Sequence, residues 1–271
     1  MAEAAGAPST KYAVRAVERT LDILDVLAQH PAGLTAPQIA DAVSMPRSTV
    51  FRYLAVLEAR HYVSRFDVVR FRLGSVFLSF EQPILNSFTA TARPLLERLR
   101  DKYDETINLG ILVGTRVLYA DVQESPHAIR LSARPGDRDF IHSSALGKAL
   151  SAQLNDDQVR EILEAEGMPR RTPNTITELQ AFMVELEKVR ERGFATDMSE
   201  SEEGASCVAV AIDTSTSPLR AAVSLSSPSI RFRKERLDEV VNDLRAAADE
   251  IAIVSVRKAE QPHDRGQPSL A

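Results

Sequence analysis

Three short helical patterns followed by an alternating segment occupy residues 17–73, and this order constrains the fold more than any other feature. The first pattern, VERTLDILDVLAQH, ends at Pro31-Ala32-Gly33. Its apolar positions at helical spacing are Val17, Leu21, Leu24 and Ala28. Thr35 is placed as the N-cap of a second helix, APQIADAV, and a third helix begins near Pro46, where a missing amide is tolerated. The tight connection between the second and third helices predicts a helix-turn-helix.

The segment after the third helix, YVSRFDVVRFRL, alternates in the manner of a small hairpin and completes a winged helix. In the third helix Val50, Leu54 and Leu57 share one face and are expected to be buried. The opposite face and the N-terminal end of that helix are then exposed and are expected to enter a major groove of DNA. They carry Arg47, Ser48, Thr49, Phe51 and Arg52.

Cations are concentrated in this part of an otherwise acidic chain. The net charge is −5, yet residues 44–72 hold six arginines against two acids. Five arginines on the hairpin and near the first helix are suited to flanking phosphates or a minor groove: Arg15, Arg19, Arg65, Arg70 and Arg72. Together with Thr35 they complete the predicted DNA-binding set. The alternative is that single arginines only solvate a helix face; the combination of helices, turn and basic hairpin favours DNA.

Residues 76–90 are expected to form a linker helix, most of which lies in the segment GSVFLSFEQPILNSF. We expect Pro83 to break or restart this helix. This helix carries more large apolar side chains than a helix that only connects two domains would need. Two interpretations stay open: the helix packs against a second copy of the chain, which would supply the two-fold symmetry of palindromic half-sites, or it packs on its own domain.

From residue 107 onward the pattern changes to strands framed by helices, which predicts an α+β domain on a largely antiparallel sheet. The expected strands are INLGILVG, TRVLYADVQ, AIRLSARP, CVAVAI and LRAAVSLS. Helices are expected at SSALGKALSAQL, DDQVREILEAEG and ITELQAFMVELEKVRERG, and in a closing helix with its apolar stripe at Leu237, Val241, Leu244, Ala248 and Ile251.

The segment HSSALGKAL offers a candidate anion site. A serine can cap its helix, which leaves the amides of Ala145, Leu146 and Gly147 at the positive end of the helix dipole. Ser224 and Ser226 lie two apart on a strand and so project from one face, with Val223 and Leu225 on the other. The structural alternative for this fragment is an ordinary capped helix with solvated serines.

Cys207 opens a neighbouring strand, and Asp197 lies in the polar loop ATDMSESEEG before it. With the two serines and the free amides, these groups could hold a small oxygenated acid; singly, Cys207 is as well explained as a small buried apolar group. Cys207, His142 and Asp197 also have the composition of a nucleophile, a base and an orienting acid. No GxSxG or P-loop motif accompanies them, and the sequence disfavours an enzyme.

Other features exclude several classes of protein. The longest apolar runs are strand-sized, and the first ten residues carry no secretory signal pattern, so we expect a cytoplasmic protein without membrane partners. The single cysteine cannot form an internal disulfide, and no metal-ligand pairing or cofactor motif is present. We therefore expect no metal and no cofactor.

The order of these segments resembles the isocitrate lyase regulator (IclR) family of bacterial transcription factors over about residues 13 to 257. The matching segments include VERTLDILDVLAQHPAGLTAPQIADAVSMPRSTVFRYLAVLEARHYV, RLG, TARPLLERL, ETINLGILVGTRVLYADVQES, HSSALGKAL, TITELQAFMVELEKVRERGFATD, EEGASCVAVAI and AAVSLSSPS. The resemblance implies a winged helix-turn-helix, a helical linker and a GAF-like effector domain, in a homodimer or a dimer of dimers. It also implies that the effector pocket is lined at Ala145, Leu146, Asp197, Cys207, Ser224 and Ser226.

Three features depart from the family pattern. The wing FDVVRFRL lacks a glycine turn, Met198 and Ser199 replace an acidic pair, and the bulky Leu146 narrows the expected pocket or makes it more apolar.

The sequence thus predicts an arm (residues 1–12), a winged helix-turn-helix (13–75), a linker helix (76–90), an effector and oligomerisation domain (91–257) and a tail (258–271). The predicted function is a transcriptional regulator of a catabolic pathway that binds double-stranded operator DNA and responds to a small organic or aromatic acid. The alternative is a regulator whose C-terminal domain only oligomerises.

Overall fold

The structure is a computed structural model, and it describes residues 14–214 and 219–260, apart from the side chains of residues 78–84 and 254–260. The chain divides into two compact units, residues 1–84 and residues 85–271. The predicted arm at residues 1–12 lies outside the described residues, as does the predicted tail beyond residue 260.

The first unit is a winged helix, as predicted. Its elements are α1 (Arg15–Ala28), β1 (Leu34–Thr35), α2 (Ala36–Ala42), α3 (Arg47–Ala59), β2 (Val63–Arg65) and β3 (Arg70–Leu73). The three strands form an antiparallel sheet in the order β1-β3-β2, so the predicted hairpin gains a third strand from the segment before α2.

The core of this unit corrects the apolar stripe predicted for α1. Val17 and Leu21 are 54% and 53% exposed, whereas Ile23 and Leu27 are fully buried against α2 and α3. Helix α1 carries apolar residues on two sides, and both sets recur at helical spacing, so periodicity alone does not select the side that packs. In α3 the predicted stripe of Val50, Leu54 and Leu57 is buried.

Thr35 begins α2 through a reciprocal capping box. Its hydroxyl accepts a hydrogen bond from the Gln38 amide (3.4 Å), and the Gln38 side chain accepts one from the Thr35 amide (2.9 Å). Just upstream, Gly33 has φ +75°, and a Cβ there would lie 2.9 Å from the carbonyl oxygen of Phe71. Only glycine lets the chain leave α1 this close to the wing.

Helix α4 (Val76–Tyr103) runs without interruption through the predicted break at Pro83. That prediction was wrong: proline removes one hydrogen bond, which the flanking turns of a helix of 28 residues tolerate. Phe77 meets Tyr62 edge to face at 5.7 Å, and Phe88 is buried in the core of the second unit. Phe80 and Ile84, which belong to the predicted apolar surface of the linker, lie outside the described side chains.

The second unit is built on one antiparallel sheet of six strands, which confirms the α+β prediction. The strand order is β6-β5-β4-β9-β8-β7, and every neighbouring pair is antiparallel. The strands are β4 (Thr106–Val113), β5 (Arg116–Gln123), β6 (Arg138–Asp139), β7 (Ala195–Met198), β8 (Ala205–Ile212) and β9 (Ala221–Pro228).

Helices cover both faces of this sheet. Helices α4 and α8 (Leu237–Glu260) pack on one face, against residues that include Ile107, Val208 and Val223. On the other face lie α5 (Ala145–Ser151), α6 (Asp156–Glu166) and α7 (Leu179–Arg192). The predicted stripe of α8 packs as expected, and the helix extends to Glu260, past the predicted domain end at residue 257.

Two segments of the second unit differ from prediction. AIRLSARP, residues 128–135, forms no strand; Ile129 is 72% exposed, and without a surface to cover, the segment has no packing to hold it in the sheet. Asp197, predicted in a loop, lies in the edge strand β7, opposite Cys207 of β8. The pairing with β8, rather than an apolar pattern of its own, makes residues 195–198 a strand.

Within the described residues, no helix is long and apolar enough to cross a bilayer.

Candidate nucleic-acid interface and ligand cavity

The outer surface of α3 carries the side chains predicted to enter a groove. Arg47, Ser48, Phe51 and Arg52 are exposed, and Thr49 is half-buried. Phe51 is 53% exposed, so its ring can contact a partner at this surface. Neither Arg47 nor Arg52 forms an ion pair with any described residue, so both guanidinium groups are available to an external anion.

The wing arginines differ from one another in their contacts. Arg65 pairs with Glu58 (Nε to Oε1, 3.0 Å), and Arg70 pairs with Asp67 (Nε to Oδ2, 2.7 Å). Arg72 is exposed and lies over the ring of Phe66 at 5.3 Å. Arg65 and Arg70 therefore have partners inside the unit, and because both ion pairs are solvent-exposed they can exchange for phosphate at little cost.

An aspartate shapes the wing tip in place of a glycine turn. Asp67 Oδ1 accepts hydrogen bonds from the amides of Val69 (2.9 Å) and Arg70 (2.8 Å). These amides, together with the Arg70 guanidinium, lower the pKa of Asp67 below its usual range. The turn projects Val68, which is 88% exposed. An Asp two residues before the turning amides is the sequence signal for such a turn.

The remaining predicted DNA-binding residues lie on α1 and before α2. Arg15 is exposed and Arg19 is half-buried. Thr35 is half-buried and holds the capping box, which accounts for its hydroxyl without DNA. A role for these three residues in DNA binding stays a prediction.

A cavity of about 300 Å³ opens on the α5 side of the six-stranded sheet. Two residues predicted for the effector site, Cys207 and Ser226, line it. The rest of the wall comes from β4, β5, the start of β8, the segment 131–139 and the loops after α6 and β7: Thr106, Asn108, Tyr119, Leu131, Ser132, Ala133, Asp137, Arg138, Asp139, Arg171, Ser201, Glu202 and Ala205.

Asn108 is a cavity residue that the sequence prediction missed. It is 2% exposed, and its Nδ2 donates to Ser224 Oγ (3.2 Å) and Ser226 Oγ (3.1 Å). Its Oδ1 is buried without a hydrogen-bond partner among the described residues. A single amide inside the apolar strand TINLGILV is the signal that would have found it, because a buried amide requires partners.

Ser224 and Ser226 face the Asn108 side of the sheet, while Val223 and Leu225 face α4 and α8, as predicted. Each serine oxygen accepts from the Asn108 amide, so each hydroxyl hydrogen is left to donate elsewhere. The two serines and Asn108 are therefore a connected polar group, of which Asn108 and Ser226 line the cavity and Ser224 lies behind them.

The start of α5 does not line the cavity. Ser144 Oγ accepts from the Gly147 amide (3.1 Å), and Ala145 and Leu146 are each 2% exposed within the apolar core. A Cβ on Gly147 would lie 2.5 Å from the carbonyl oxygen of Ile141, so the missing side chain makes room for backbone and not for a ligand. The predicted anion seat is here a capped, packed helix.

Asp197 lies beside the cavity wall, but its carboxylate is turned into its own loop. It accepts hydrogen bonds from the Glu200 amide (2.7 Å) and from the Ser201 hydroxyl. Burial raises the pKa of Asp197. Burial, and then the charge of Asp197, also raise the pKa of the Cys207 thiol, which stays protonated and is a poor nucleophile.

The triad considered from composition is not assembled. His142 Nε2 donates to the carbonyl oxygen of Pro169 (3.1 Å), and no hydrogen bond joins His142 to Cys207 in the described part of the chain. Nor does any group of three His, Cys, Asp or Glu side chains there have the arrangement of a metal site.

Both units match the models of a known protein family. Residues 16–65 match the family model of the IclR helix-turn-helix domain, and residues 86–253 match that of the bacterial transcriptional regulator IclR C-terminal domain. The transcriptional regulator BhcR of Paracoccus denitrificans is 34% identical over 247 residues, covering 88% of this chain and 86% of BhcR.

Solved structures show the same fold. Thermotoga maritima IclR has a TM-score of 0.60 and 28% identity, over 89% of this chain and 98% of that one. An IclR homologue of Microbacterium hydrocarbonoxydans, crystallised with 4-hydroxybenzoate, has a TM-score of 0.58 and 23% identity, over 89% and 99% of the two chains. The chain belongs to the IclR family of bacterial transcriptional regulators, which are DNA-binding proteins and not enzymes.

Proposed function

We propose that this chain regulates genes of a catabolic pathway and that a small organic or aromatic acid in the cavity changes its affinity for operator DNA. The observation that carries the ligand side is Asn108, a buried amide that lines the cavity with an unpartnered oxygen. An unpaired buried polar atom costs about 1–3 kcal/mol, and a bound ligand can supply the missing partner.

The DNA side of the proposal rests on the outer surface of α3. Arg47 and Arg52 are exposed there without ion pairs to described residues, on a helix that follows a tight turn. Arginine pairs with guanine in two hydrogen bonds, whereas the wing arginines are better suited to phosphates. We assign phosphate or minor-groove contacts to the wing arginines and to two arginines of α1: Arg65, Arg70, Arg72, Arg15 and Arg19. Thr35, before α2, completes the proposed DNA-binding set.

We infer further that the active form is a homodimer, alone or paired into a dimer of dimers. The support is the winged helix itself, because a helix-turn-helix reads palindromic half-sites through a two-fold axis. The apolar sequence of the linker part of α4 is a candidate contact between copies.

The proposed effector class includes aliphatic and aromatic acids. The Microbacterium homologue holds 4-hydroxybenzoate, so a cavity of this fold accepts one aromatic acid in that protein. Among the described residues that form the cavity wall of this chain, Tyr119 is the single aromatic side chain.

The experiment measures DNA affinity with and without acids. A duplex selected by the wild-type protein from a random pool is titrated by fluorescence anisotropy in the presence of pyruvate, L-malate, L-aspartate or 4-hydroxybenzoate. We expect at least one acid to change the Kd by about 5- to 150-fold, the usual range of allosteric coupling.

The double variant Ser224→Ala/Ser226→Ala should keep the acid-free Kd and lose the response. Ser206→Ala is the matched control, because Ser206 bonds to Ser229 outside the cavity and should leave the response unchanged. If no acid alters the wild-type Kd, the C-terminal unit serves only oligomerisation.

A further inference from the structure

The cavity wall carries charges of both signs, with carboxylates in excess. Asp137, Asp139 and Glu202 face the same space as Arg138 and Arg171. A ligand whose only charge is a carboxylate would meet three anionic groups and two cationic ones, and its binding would be opposed by the excess negative charge.

Asp139 is the most buried of these carboxylates, with a side chain 14% exposed. Its Oδ1 accepts from the Phe140 amide (2.8 Å) and from Arg171 Nη1 (3.4 Å). Its Oδ2 forms no hydrogen bond to any residue that the structure describes. Burial raises the pKa of Asp139, which means that its protein partners compensate its charge incompletely.

A second acceptor in the wall is the side-chain oxygen of Asn108. Asn108 Oδ1 is buried without a partner among the described residues, and the amide hydrogens of the same side chain are used by Ser224 and Ser226. Both groups need a hydrogen-bond donor. An oxo acid such as pyruvate, once ionised, brings none, a hydroxyl brings one, and an ammonium group brings three with a positive charge.

The guanidinium groups of Arg171 and Arg138 differ in their contacts within the protein. Arg171 donates from Nε to the Ser201 carbonyl (2.8 Å) and from Nη1 to Asp139, so it lies close to the buried carboxylate. Arg138 is exposed and forms no ion pair with a described residue. The wall therefore presents an acidic partner and a basic partner side by side, as a zwitterion requires.

We propose that the effector is a small amino acid, whose ammonium group is bound by Asp139 and Asn108 Oδ1 and whose carboxylate is bound by Arg138 and Arg171. A space of about 300 Å³ is at the lower end for ligand sites and fits a molecule of this size. This inference rests on the proposed function, since it names the class of acid that the regulator senses.

The test uses pairs of acids that differ only in an ammonium or a hydroxyl group: glycine and glycolate, L-alanine and L-lactate, L-aspartate and L-malate. Thermal unfolding of the full-length protein and isothermal titration measure the binding of each. For at least one pair, the amino member should raise the Tm and bind at least about tenfold more tightly than the hydroxy member, because a charged hydrogen-bond pair is stronger than a neutral one.

Two variants separate the roles of the charged groups. Asp139→Asn should remove most of the preference for the amino member, while Asp156→Asn, which changes an aspartate on α6 outside the cavity, should keep it. Arg138→Gln should weaken both members of the pair to a similar extent. Because the Arg138 side chain is exposed, its replacement should not disturb folding, and a loss of binding then reports on the ligand contact. This variant therefore tests the assignment even if Asp139→Asn is unstable.

The outcomes distinguish this inference from the proposed function. Binding of hydroxy or oxo acids without preference for the amino members contradicts the amino acid assignment and leaves an acid-responsive regulator in place. An unchanged preference in folded Asp139→Asn also contradicts the assignment. Absence of binding by every acid, including 4-hydroxybenzoate, contradicts both proposals.

Discussion

Lys148 and Glu200 form an ion pair that is almost fully removed from water. Their side chains are 1% and 12% exposed, with Nζ 2.6 Å from Oε1, and Glu200 Oε2 has no partner among the described residues. Burial raises the pKa of Glu200, and the charge of Lys148 opposes that shift. Glu200 lies in the loop that supplies Ser201 and Glu202 to the cavity, so the pair anchors one cavity wall to α5.

Removing one member of this pair should destabilise the protein more than removing both. Lys148→Met leaves a buried carboxylate without its cation and should lower the free energy of unfolding by about 3 kcal/mol. The double variant Lys148→Met/Glu200→Met should recover most of the loss, because two apolar side chains need no partners. Urea unfolding followed by circular dichroism measures both; a double variant less stable than Lys148→Met would contradict this account.

Sequence patterns identify Cys207 and Ser226 as cavity residues, but they identify neither Asn108 in the wall nor the ion pair of Lys148 beside it. Alternation along a strand places Ser226 on a defined face, which needs only local information. Lys148 is buried by a partner 52 positions away, and a lysine is ordinarily expected at the surface. Such long-range pairing is not encoded in any local spacing.

At the scale of elements, the capping box of Thr35 and Gln38 determines where α2 begins. Thr35→Ala removes the hydroxyl that receives the Gln38 amide and should lower the stability of the first unit by about 1 kcal/mol. Thr35→Ser keeps that acceptor and should stay close to wild type. Urea unfolding measures the difference, and equal loss in both variants would show that the threonine methyl, rather than the cap, is responsible.

Most elements could be predicted because caps and periodicity are local. Pro46 before α3, Gly193 after α7 and the alternation of the wing each mark a boundary that the structure keeps. Strand β7 and the unbroken α4 could not be predicted in this way. The first forms by pairing with β8, and the second continues past Pro83 because neighbouring turns keep their hydrogen bonds.

At the scale of the whole molecule, a chain with net charge −5 carries a local cationic surface. The excess of acids lies in residues 86–271, with 30 Asp or Glu against 24 Lys or Arg. This distribution lets one unit approach a polyanion while the rest of the chain repels it, which favours binding through the winged helix alone.

The most direct test compares three arginines of α3 and its C-cap in the full-length protein. The Kd for the selected duplex is measured at one salt concentration for wild type, Arg47→Ala, Arg52→Ala and Arg60→Ala. Arg60, exposed at the far end of the helix, is the matched control for lost charge. We expect Arg47→Ala or Arg52→Ala to weaken binding by about 1–3 kcal/mol, and Arg60→Ala by far less. Wild-type affinity in all three variants would contradict the assignment of this surface to DNA.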